Sequence, residues 1–65
     1  MSFYPPKDLL GDILRVLRQM KRPVDVDEIA FRTGTYHSFA RDILEVLIKY
    51  KMVAKEGDSY ILNKR

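Results

Sequence analysis

From Val26 to Val53 the chain reads V-D-E-I-A-F-R-T-G-T-Y-H-S-F-A-R-D-I-L-E-V-L-I-K-Y-K-M-V, and the decisive break in it is Gly34. On either side of that glycine, apolar residues return every three or four positions, the spacing that aligns side chains along one face of a helix. Before it, Val26, Ile29 and Ala30 form such a stripe, with Asp27 and Arg32 turned outward. Asp25 stands where an N-cap belongs, and Glu28 three residues later completes a capping-box pattern. Gly34 then ends this short helix, because glycine takes the left-handed angles of a helix terminus without a Cβ clash. Beyond it, Ala40, Ile43, Leu44, Leu47 and Ile48 predict a longer helix that follows Thr35 to Ser38 and ends near Lys51. Lys49 and Lys51 suit the negative end of its dipole.

Working outward, Met52-Val53-Ala54-Lys55 and Ser59-Tyr60-Ile61-Leu62 flank Glu56-Gly57-Asp58, a short polar link that predicts a β-hairpin. An isolated hairpin is marginal, so Val53, Tyr60 and Leu62 are expected to pack back on the helices, with Tyr60 a core residue under the hairpin. Upstream, Leu9, Leu10, Ile13, Leu14, Leu17 and Met20 lie on one face of a first helix running from Lys7. Asp8 caps it or sits in its first turn; Arg18, Lys21 and Arg22 fill its last turns and Pro23 stops it. Ser2-Phe3-Tyr4-Pro5-Pro6 reads as an extended arm spanning residues 1–6, and Asn63-Lys64-Arg65 as a short basic tail.

Composition narrows the classes of function. Sixty-five residues make one domain, residues 1–65, and a chain of this size buries only about 60% of its unfolded surface. With 46% hydrophobic residues and only three glycines it is expected to fold, and without cysteine or a metal cluster only packing and oligomerisation remain to stabilise it. There is no apolar run of the roughly 18 residues that span a bilayer, nor the charged-then-apolar order of a signal peptide, so an intracellular protein without membrane association is expected. The net charge of +3 and pI near 9.4 are mildly basic and compatible with a polyanionic partner. Positive charge concentrates in residues 1–22, which hold five basic and two acidic side chains, whereas residues 23–36 hold one and three. Paired catalytic carboxylates, a Ser-His-Asp arrangement, a phosphate-binding glycine loop and a metal cluster are all missing from the sequence, so neither an enzyme, a cofactor nor a small-molecule substrate is expected. His37, with no cysteine and no second histidine, reads as a polar residue at a helix start.

The order helix, helix, turn glycine, helix, hairpin resembles the winged-helix regulator superfamily. The likeness spans roughly residues 8–63 and is carried by Ile29-Ala30, Gly34, the polar start Tyr36-His37-Ser38, then Ala40, Leu44 and Leu47, and the apolar pair Met52-Val53 that opens the wing. The small cysteine-free form also looks like short winged-helix proteins of archaea and their viruses or plasmids. The resemblance implies an α+β fold, a three-helix winged helix-turn-helix with a C-terminal β-hairpin wing. It further implies that the third helix enters the major groove of double-stranded DNA while the wing touches adjacent backbone or minor groove. The groove-facing positions would be Tyr36, His37, Ser38 and Arg41, with Asp42 and Glu45 beside them. Arg41 would grip a guanine edge with two bonds, while Tyr36, His37 and Ser38 would donate to phosphate or base. Lys55 in the wing, Arg32 in the second helix and Arg15, Arg18, Lys21 and Arg22 in the first would be phosphate contacts that set affinity and salt dependence. Asp42 and Glu45 would repel phosphates unless each accepts from a cytosine amine or pairs with Arg41.

Phe39, Val46 and Tyr50 fall on a side of the third helix away from its Ala40-Leu44-Leu47 stripe, and Phe3 and Tyr4 add aromatic surface in the arm. Two explanations stand side by side: the arm folds over this side, or it forms a homodimer interface with the first helix, suited to a palindromic site. A different function would use the same side to dock a polymerase, replication or sorting-complex partner, with Asp42 and Glu45 contributing.

Overall fold

The computed structural model describes residues 8–63, so the expected arm (residues 1–6) and the tail beyond Asn63 lie outside the described residues. The elements run α1 (Leu9–Met20), β1 (Val24–Asp25), α2 (Val26–Thr33), α3 (His37–Lys49), β2 (Val53–Glu56) and β3 (Ser59–Leu62). This is the expected α+β layout, three helices followed by a hairpin wing.

Each helix end has a local cause. Asp8 caps α1 by accepting from the Gly11 amide at 3.0 Å, and Asp25 caps α2 by accepting from the Glu28 amide at 2.8 Å. Gly34, at φ 70°, closes α2 as expected: the Thr35 amide returns to the Ala30 carbonyl at 3.0 Å and the Gly34 amide to Phe31 at 3.3 Å. The other two helices use lysine where the sequence offers no glycine. Lys21, at φ 58°, turns its amide back to Leu17, so α1 stops at Met20 and neither Lys21 nor Arg22 belongs to it. The reason lies downstream, since Arg22 precedes a proline and is driven from helical angles, forcing the chain out of the helix before it. Lys51, at φ 64°, ends α3 with bonds from its amide to Ile48 and from the Met52 amide to Leu47, both 2.9 Å. α3 therefore runs from His37 to Lys49, ending near Lys51 as expected.

β2 and β3 pair antiparallel with Lys55 opposite Tyr60, around a turn whose Gly57 sits at φ 62°. A third strand, absent from the sequence reading, joins them. Val24 faces Tyr60 and Asp25 faces Ser59, giving the order β1-β3-β2. β3 is thus central, and the wing is hydrogen-bonded to the residues that open α2.

The core gathers Ile13 and Leu17 of α1, Val24, Ile29 and Ala30, then Ala40, Leu44 and Leu47 of α3, with Val53 and Tyr60 of the wing. Leu62 packs on it from the edge, as expected of the hairpin. On α1, Ile13 and Leu17 join the core and Leu9, Leu14 and Met20 pack against it as expected, whereas Leu10 is 37% exposed and Val16 is buried in addition. Thr33, also buried, donates its hydroxyl to the Ile29 carbonyl at 2.7 Å.

Candidate nucleic-acid interface

Burial of Ala40, Leu44 and Leu47, with Ile43 packed beside them, fixes the rotation of α3 about its axis and turns the polar positions of its leading half outward. Tyr36, His37, Ser38, Arg41, Asp42 and Glu45 are all exposed. Tyr36 occupies the N-cap position with extended backbone angles, yet its side chain makes no capping bond. Its ring instead meets Phe39 edge-on, centroids 5.8 Å apart, and stays 73% exposed. His37 brings Nε2 to 3.2 Å from Asp27 Oδ1, linking the start of α3 to the first turn of α2.

Arg41 and Lys55 are brought together although 14 positions separate them in sequence (55 − 41). With Val26, Asp58 and Tyr60 they line one open cleft between α3 and the wing. Tyr60 forms its buried floor, and the Lys55 ammonium lies 5.9 Å from that ring's centroid, within cation–π range. Among the described residues neither Arg41 nor Lys55 forms an ion pair, so Asp42 and Glu45 leave the Arg41 guanidinium unengaged. Asp58, at the turn of the wing, is an acidic neighbour of this cleft that the sequence reading overlooked.

Arg32 does not join the cleft. Its Nε lies 3.0 Å from Glu28 Oε2, and it lines a separate groove between α1 and α2 with Arg15 and Phe31. Phe31 is 86% exposed and was not singled out in the sequence, because a lone aromatic beside a helix stripe carries no periodic signal. Of the cations on α1 and just beyond it, Arg15 pairs with Asp12 at 3.0 Å and Arg22 with Glu28 at 3.4 Å, whereas Arg18 and Lys21 have no acidic partner among the described residues.

Glu28 is the anchor of the second helix's outer side. The Arg32 hydrogen bond holds its carboxyl below the usual glutamate range; lost hydration opposes this and the charge of Arg22 adds to it. A depressed folded pKa makes the contribution fully present above the unfolded glutamate range and removes it as pH falls through the folded value. Thermal melts of the chain and of Glu28→Gln should therefore differ at neutral pH and converge in acid, with the gap narrowing in high salt because the pair is on the surface. A constant gap at every pH would show that the ion pairs contribute nothing.

Among the described residues no group of His, Asp and Glu is arranged to hold a metal ion, and no helix is long and apolar enough to cross a membrane. Comparison of the chain with family models, with curated proteins and with solved structures found no match.

Proposed function

We propose that the chain binds double-stranded DNA in a sequence-specific way, as a small transcriptional regulator that inserts α3 in the major groove and acts inside the cell by occupancy, without catalysis. The observation that supports this reading is the meeting of Arg41 and Lys55, neither in an ion pair among the described residues, across the cleft between α3 and the wing. A helix is narrow enough for the major groove, and a cation one strand away falls where the flanking phosphates run. Tyr36, His37 and Ser38 would meet the backbone at the leading turn, whose amides no side chain caps. Asp42 and Glu45 would be tolerated where they accept from cytosine amines. Arg32, held by Glu28 beside α1, would serve as a peripheral phosphate contact. Selection of bound duplexes from a random pool at near-physiological salt tests the proposal; recovery of no preferred sequence would sink it.

We further propose that the chain works as a homodimer. Phe39 and Tyr50 are 54% and 69% exposed and Val46 lies between them, an apolar side of α3 unused by the core. Sedimentation across a concentration series should show a dimer that Val46→Glu reduces to a monomer. A monomer at the highest concentration reached would remove this part. The same exposed side supports the competing function, a protein-docking winged helix, whose binding would be insensitive to salt and indifferent to DNA.

A further inference from the structure

A second surface lies where the later turns of α1 meet β3 and the end of α3. Two adjoining clefts share Arg18, Leu62 and Asn63 and run together into one groove. Its floor is apolar: Leu14, Ile61 and Leu62 are half-buried and Met52 is 44% exposed. Its rim is cationic, formed by Arg18, Lys21 and Lys51, and none of the three forms an ion pair with a described residue. Among the described residues no acidic side chain lines either cleft. The dipoles of α1 and α3 favour cations near their ends, but they do not explain an apolar floor left open between those cations.

We propose that this groove docks an acidic, apolar segment of a partner protein, with leucine-like side chains on the floor and carboxylates on the rim. Charge chooses this occupant over the others. Duplex DNA would satisfy the rim but has no apolar surface to cover Leu14, Ile61 and Leu62. A second copy placed here about a two-fold axis would set Arg18, Lys21 and Lys51 against their own counterparts, a like-charge contact. The chain's own first seven residues contain Lys7 and no acid, so they do not complement the rim. The groove shares no residue with the α3–wing cleft, so the inference does not depend on DNA binding; it meets the proposed dimer side of α3 at Tyr50, which also lines it.

The test uses the full chain and a fluorescent synthetic peptide in which leucine and phenylalanine alternate with pairs of glutamate, followed by anisotropy. Saturable binding is expected, weakened about tenfold or more in the double variant Arg18→Glu, Lys21→Glu and restored when that variant meets a lysine-for-glutamate peptide. Both positions are exposed, and circular dichroism checks that the variant is folded. Arg41→Ala should leave peptide binding unchanged, which separates this proposal from the DNA reading. Absence of saturable binding overturns it, as does equal binding of a glutamate-only peptide, which would show charge without the floor. An equal loss of duplex affinity in the double variant would mark the surface as a general polyanion site and also overturn it. A gain in peptide binding on Phe3→Ser, Tyr4→Ser would identify the arm as the occupant instead.

Discussion

Arg41→Ala is expected to cost about 1–3 kcal/mol of discrimination at one base pair of the selected site, roughly a five- to 150-fold relaxation, while leaving the fold unchanged. The size follows from position: Arg41 is exposed, lies one turn into α3 and has no ion pair among the described residues, so its planar donors are free for a guanine edge. Lys55→Ala provides the contrast. A wing lysine that meets only phosphate should weaken all duplexes about equally and reduce the slope of log affinity against log salt by about 1. Anisotropy titrations of the selected duplex and of single-base variants, at several salt concentrations, read both effects. If Arg41→Ala and Lys55→Ala lower every duplex alike, α3 is not a reader of sequence.

Leu44→Ala should have the largest effect on stability, about 2–5 kcal/mol by the usual cost of emptying a core leucine site. Leu44 has no exposed surface and packs in the cluster where α1, α2, α3 and the wing converge. A chain of 65 residues has a total stability of only roughly 3–10 kcal/mol, so the variant should lose at least about 10 °C in its thermal midpoint, or fail to fold at all. Phe39→Ala, on the same helix but over half exposed, should be nearly neutral in the monomer. Circular dichroism melts compare the two directly; equal losses would mean that α3 is rotated from the face described.

What the residue order reveals depends on how far apart the cooperating groups lie. Asp25 and Gly34 were legible as helix limits because each acts within four residues of itself, through a side-chain cap and a left-handed turn. Lys21 and Lys51 adopt the same left-handed turn, but nothing in a lysine announces it; the constraint comes from Pro23 and from the strand that follows α3. Leu10 and Val16 show the same limit on α1. Both fit a helical period, and only the packing partners decide which of them turns inward.

Sequence alone determined the three helices and the hairpin, the turn glycine and the apolar stripe of α3, since those follow from periodicity and local backbone sterics. It also named Arg41 and Lys55, but as separate candidates. Their meeting across one cleft and the two-residue strand that ties Val24 to Tyr60 were decided by tertiary structure. The physical reason is that each joins residues separated along the chain. Such contacts form only once hydrophobic collapse has oriented the helices and sheet, and no local pattern encodes them.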